Sequence, residues 1–380
     1  MKKILTCLLC LMVLQQSSAT IRRVGFIATV QAVNGFDYTT FQAAHDASIT
    51  GDTVQLYPST SGTVSFSGTI TKRLVIQGPG YFYNVFHLTG AEVGNTSLQN
   101  LAGVISSCNF TINLGSAGTT VMGLQNVTVN VTNRIEALND ITITRCRNVV
   151  INWDNSGILN NWSVSSCYGL SITQTGFSAQ FTSDRTVDNL TISNCFVNGA
   201  INLNTSPTGS YLNNRFTNCV FASGHNLVLA NAFFTIQNCI YEGQTMSGTN
   251  NTTFIRNLTT STATSNIITN TGSNSGNIFS VALANVFVAY PNMTTTNGVN
   301  NFSLDARLQL RPQGTPVNPA IGAGQVVGGT TSIDCGMFGG SAPYTLSGVP
   351  SIPIFYQLGA SSAVTVGNTY TVTFSVRNNN

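Results

Sequence analysis

The chain has 380 residues, of which 42% are hydrophobic and only 7% charged, with a formal net charge of +3. Charge this sparse, with no basic cluster, excludes the electrostatic face of a nucleic-acid binder, and the abundance of Val, Ile, Thr and Phe excludes a disordered chain. Solubility must then come from Asn, Thr, Ser and Gly, and the composition points to an all-β protein with one elongated core.

In chain order, Lys2 and Lys3 precede an apolar run from Ile4 to Leu14 and the small-residue stretch Ser17-Ser18-Ala19. This reads as a secretory signal over 1–19, giving a chain that is extracellular or cell-surface, with the periplasm as the alternative. No later stretch has the length and apolarity of a transmembrane segment. Beyond the signal a single lysine, Lys72, faces 12 arginines and 12 acidic residues. Residues 20–60 should hold an N-terminal strand and a helix over Asp37 to Ala47, with Gly51-Asp52-Thr53-Val54 restarting the β pattern. A helix there would plug the open end of a solenoid.

Residues 61–345 carry a repeat. Ile105-Ser-Ser-Cys108, Ile143-Thr-Arg-Cys146, Val164-Ser-Ser-Cys167, Ile192-Ser-Asn-Cys195, Phe216-Thr-Asn-Cys219 and Ile236-Gln-Asn-Cys239 share one pattern, and Leu124-Gln-Asn-Val127 and Ile255-Arg-Asn-Leu258 fill its gaps. The anchors at 108, 127, 146, 167, 195, 219, 239 and 258 recur about every 20 residues, the signature of a solenoid. They are expected to stack in register in one sheet around a continuous apolar column. Asn before the anchor at 126, 194, 218, 238 and 257 is expected to form an amide ladder at a corner of the coil. Residues 346–380 should close as a β-hairpin, with strands at Ala363 to Val366 and Thr369 to Val376 around Gly367-Asn368.

Phe41-Gln-Ala-Ala44 with Gly51-Asp-Thr-Val54 and Leu74-Val-Ile-Gln-Gly78 resembles the opening of the right-handed parallel β-helix proteins of the pectate-lyase-like (pectin lyase-like) superfamily. Asn318-Pro-Ala-Ile-Gly-Ala-Gly324 and Asp334-Cys-Gly-Met-Phe-Gly-Gly340 are similar to the closing motifs of secreted bacterial members. The resemblance implies a right-handed parallel β-helix with an N-terminal capping helix. Its polysaccharide-cleaving enzymes use a calcium site of several carboxylates or a trio of aspartates, and neither pattern is present in the sequence. Gly322 stands where the closing motif commonly has an acidic residue.

Coil phase singles out one charged group, Arg134, Glu136 and Asp154, which stacked coils would bring together. A carboxylate pair could do acid–base or glycosidase chemistry, although surface ion pairs produce the same pattern more often. Trp153, Trp162 and Tyr168 are candidates for stacking on sugar rings, with core packing as the competing role. The three histidines have no zinc spacing, so neither metal nor cofactor is expected. The cysteines beyond the signal follow the coil period and should be mostly free and buried, despite the oxidising compartment.

The function expected is that of a non-catalytic extracellular structural or adhesin-like protein binding a polysaccharide, with self-association as a further role. The alternative is a polysaccharide lyase or glycoside hydrolase.

Overall fold

The computed structural model describes residues 19–25, 37–58, 63–81, 105–131, 137–154, 158–175, 186–203, 212–223, 227–228, 234–243, 252–261, 274–289, 305–348, 354–360 and 372–377. The region of the expected signal lies outside them. No described helix is long and apolar enough to cross a membrane.

The chain folds as a parallel β-helix. One 11-stranded sheet runs from Ile21–Val24 through short strands such as Thr142–Thr144 and Ser163–Ser165 to Asn274–Ser275. A second runs from Val64–Ile70 through Ile105–Ile112, Gln125–Val131, Arg147–Asp154 and Tyr168–Thr175 to Leu258–Thr259. Ala137–Asn139, Ile158–Asn160 and Thr186–Asp188 form a third, smaller sheet. Within all three, strands pair in parallel. Each coil buries its apolar side chains against those above and below, and a single column results, from Val24 to Phe254. Its aromatic residues stack along the axis, as Phe221 and Tyr241 do at 4.6 Å and 11°.

The N-terminal end is closed by the helix Phe41–Ala47. Thr40 caps it, its hydroxyl accepting from the Ala43 N–H at 3.2 Å. Phe41 and Ala44 lie on one face of the helix and are buried, and the Phe41 ring meets Phe110 at 4.8 Å. His45 joins helix to coil: its Nε2 accepts the Thr71 N–H at 3.1 Å. Asp52, fully buried, ties three segments together by accepting from the N–H groups of Thr20 and Ile49 and from Arg22 Nε. Burial works upward on its pKa, but these hydrogen bonds and the Arg22 charge outweigh it and hold the carboxyl below its usual range.

The register differs from the expected alignment at both ends. Cys108 pairs with Val127, and Val127 with Val149 rather than with Cys146. Because Gln125, Arg147, Tyr168, Phe196, Val220, Ile240 and Leu258 form one paired row, the row immediately before them is Leu124, Cys146, Cys167, Cys195, Cys219, Cys239 and Asn257. Cys108 is therefore three residues out of phase with the other cysteines, and the last anchor is Asn257, not Leu258. Asn257 fits in a buried place because its amide bonds the coils on both sides, donating to the Ile236 carbonyl and accepting the Cys239 N–H of the preceding coil, each at 2.9 Å, and donating to Asn277 Oδ1 of the next at 3.1 Å.

The corner just before this row is left-handed in every coil, at Gly123, Arg145, Ser166, Asn194, Asn218, Asn238 and Arg256, with φ between 51° at Ser166 and 66° at Gly123. Asn126 belongs to a different left-handed corner, shared with Asn148, whose Nδ2 donates to Asn126 Oδ1 at 2.8 Å. At the expected corner one amide link is present, Asn238 Nδ2 donating to Asn218 Oδ1 at 3.4 Å, while a longer side-chain ladder runs at a third corner: Asn161 donates to Asp140, Asn189 to Asn161 and Asn213 to Asn189, at 3.0, 2.9 and 3.2 Å. All four residues of that ladder have φ of 58–60°, which Asn and Asp tolerate best among L-residues.

Near the C-terminus a hairpin is present, but its strands are Ile354–Ala360 and Val372–Arg377. The partner of the last strand is thus 354–360, and the expected strand at 363–366 lies outside the described residues.

Candidate functional site

Of the expected charged group, Arg134 and Glu136 lie outside the described residues, as does the side chain of Asp154. The backbone of Asp154 ends its strand paired with Thr175.

The aromatic candidates are placed clearly. Trp153 is 0% and Trp162 1% exposed, both inside the apolar column. The Trp162 indole N–H donates to the Leu138 carbonyl at 2.7 Å, while Trp153 Nε1 finds no partner among the described residues. Tyr168 is buried on the outer side of the second sheet, stacked on Phe196 at 4.8 Å. A ring with no open face offers a sugar nothing to stack on, so in this structure all three are packing residues.

What covers Tyr168 is the main feature the sequence reading missed. The outward row Tyr168, Phe196, Val220, Ile240 and Leu258 is buried by residues of 281–346, among them Val281, Phe287, Leu308, Met337 and Tyr344, in a second apolar core outside the coil. The signal was present in the doublets Cys195-Phe196, Cys219-Val220 and Cys239-Ile240. Consecutive apolar residues in a strand mean that both faces are covered.

The Asn corner reads the backbone of this covering strap. Asn194 Nδ2 donates to the carbonyls of Met337 and Gly339, and Asn218 Nδ2 to that of Asp334. Asn238 pairs with the peptide groups of Gln325, donating to its carbonyl at 2.9 Å and accepting its N–H at 3.0 Å. Gly336, at φ 84°, passes so close to the sheet that a Cβ would stand 2.6 Å from Ile240 Cδ1.

Under the strap lies a buried polar group. The Tyr81 and Tyr344 hydroxyls are 2.6 Å apart, and Tyr344 donates to Asp305 Oδ2 at 3.0 Å. Asp305 is fully buried, and its Oδ1 accepts the Ala306 N–H at 3.0 Å. Burial raises both tyrosines well above the usual phenol value, so they act here as neutral hydrogen-bonding groups. The arrangement joins the solenoid at Tyr81 to the strap at 305 and 344.

One largely polar wall faces outward, in two columns. On the second sheet Ser67, Asn109, Thr128, Val150 and Ser171 form one column, and Thr69, Thr111, Asn130, Asn152 and Thr173 another. Their amides are linked, Asn130 to Asn109 at 2.6 Å and Asn152 to Asn130 at 3.0 Å. Neither column holds a charge.

All seven described cysteines are free and buried; the coil period accounts for the five from Cys146 to Cys239, whereas Cys108 is out of phase with them and Cys335 lies on the strap. Burial pushes Cys335 up to about 12 and raises Cys146, Cys195 and Cys239 as well. Thiol titration of the denatured, unreduced protein should therefore count seven thiols from Cys108 to Cys335, besides any at Cys7 and Cys10. A count lower by two or more would establish a disulfide and refute the free row. Among the described residues no three of His, Cys, Asp and Glu converge as a site of three or more ligands would require.

No protein-family model matches the chain, and no curated protein is significantly similar to it.

Proposed function

We propose that the chain is a secreted, non-catalytic β-helix protein that binds an extracellular polysaccharide along an uncharged wall. The observation carrying this reading is the column Thr69, Thr111, Asn130, Asn152 and Thr173 on the second sheet, where a side-chain amide or hydroxyl recurs at about 4.8 Å on every coil. A linear polymer of hydroxyls is complementary to such a row, because each rung offers both donors and acceptors and demands no counter-charge. Two described ion pairs, Arg22 with Asp52 and Arg23 with Asp37, lie in the N-terminal cap, and none of these four residues belongs to the column. A glycan array, run beside assays for new reducing ends and unsaturated products, tests the reading. Binding without product is expected, weakened when Asn130 and Asn152 are both changed to Ala. Product formation would favour a lyase or hydrolase instead, and absence of binding to any glycan would overturn the proposal.

A further inference from the structure

Cys146, Cys167, Cys195, Cys219 and Cys239 occupy one position in five successive coils. Each thiol is oriented in the same way, donating to the carbonyl two residues earlier at 3.3, 3.3, 3.2, 3.4 and 3.3 Å. Equivalent side chains on parallel rungs repeat at the coil rise, so successive sulfurs stand about 4.8 Å apart. The Sγ atoms of Cys195 and Cys239 also accept the backbone N–H of the preceding rung, from Cys167 and Cys219, each at 3.4 Å. A row of this kind cannot offer a tetrahedral set of ligands, and parallel side chains are poorly disposed for the near-perpendicular disulfide torsion. It offers pairs facing along a line.

We infer that this thiol row is a binding site for soft d10 cations in linear two-coordination, one ion between Cys167 and Cys195 and a second between Cys219 and Cys239. Metal–thiolate bonds of about 2.3 Å, the length zinc makes, place two sulfurs about 4.6 Å apart in a straight S–M–S unit, which matches the rung spacing. Soft thiolate ligands select such ions. The charge also balances. A divalent ion displaces one proton from each of two thiols, forms two metal–sulfur bonds and leaves a neutral unit, which the apolar column accommodates without an uncompensated buried charge. Five rungs hold two such units without sharing a sulfur, and Cys146 remains a thiol.

Mercuric ion alone is the probe. In a full-length background carrying Cys7→Ser and Cys10→Ser, two variants leave the same number of thiols in different geometry. Cys167→Val with Cys219→Val spaces the remaining row members two rungs apart, about 9.6 Å, whereas Cys108→Val with Cys335→Val leaves the row intact. Each protein is refolded anaerobically with mercuric ion, washed with excess small thiol and analysed for bound metal. The background and the row-intact variant should each retain two ions per chain and release four protons on loading, and the broken row should retain none. X-ray absorption on the loaded background should show two sulfur neighbours, which keeps the test decisive if the broken-row variant does not fold. Equal retention by both variants, no retention by the background, or a higher sulfur coordination would overturn the assignment.

Discussion

Replacing Trp162 by Ala should lower stability by about 3–5 kcal/mol, the range for deleting a large buried aromatic side chain. Trp162 fills the column, and its indole N–H holds the Leu138 carbonyl. Leu138 lies in the third sheet, so this bond ties the short strand Ala137–Asn139 to the next coil. The substitution removes both the volume and the donor, leaving a buried carbonyl unpaired at a further cost of about 1–3 kcal/mol if no water reaches it. Urea unfolding measures the effect as a fall in midpoint. Trp162→Phe keeps much of the volume but no donor and should fall between wild type and Ala. A loss below about 1 kcal/mol for Trp162→Ala would mean that the ring is not part of the column, and would reopen its assignment as a surface sugar contact.

The β-helix itself was legible because the coil period forces Cys, Val and Ile to recur wherever a side chain points inward. Phase was harder. Ile105-Ser-Ser-Cys108 has the letters of the repeat, yet Ile105 pairs with Val64 in the second sheet, while the true counterpart of Ile143 is Val121 in the first. The motif fits there because a strand with an apolar residue at either end suits both sheets. The left-handed residues Asn126, Asn148 and Gly169 add a further displacement between the cysteine row and the following strand, and period counting cannot distinguish this from a longer loop. Trp153 and Trp162 were ambiguous for a chemical reason: an indole suits a dry column and a sugar face equally well, and only burial separates the two. The strap was invisible for a different reason. Its partners, the Asn corner and the Phe196–Val220–Ile240 row, are ordinary solenoid residues until something lies across them.

The strap's hold on the solenoid can be loosened at one residue. Asn238 has a left-handed backbone, φ 58°, a fully buried side chain, and both amide atoms engaged by the peptide groups of Gln325. Asn238→Ala loses the side chain's tolerance of that backbone, about 1 kcal/mol, and leaves the Gln325 N–H on the strap without its acceptor, about 1–3 kcal/mol, while the Gln325 carbonyl keeps the Gln237 Nε2 donor at 2.8 Å. A total near 2–4 kcal/mol should fall on strap docking rather than on the column, because solenoid coils are held by their neighbours. Cys335 reports the difference. It is fully buried where the strap meets the sheet, its thiol donating to the Arg256 carbonyl at 3.3 Å, and burial has raised its pKa, so release should restore an ordinary, reactive thiol. Native-state alkylation of Asn238→Ala, mapped by mass spectrometry, should label Cys335 much faster than in wild type while Cys146 to Cys239 stay protected. Asn238→Gly, which accepts the backbone but lacks the amide, should show most of the same increase. Equal labelling of wild type and variant would remove Asn238 from the docking contact, and simultaneous labelling of the row would show that strap and column open as one unit.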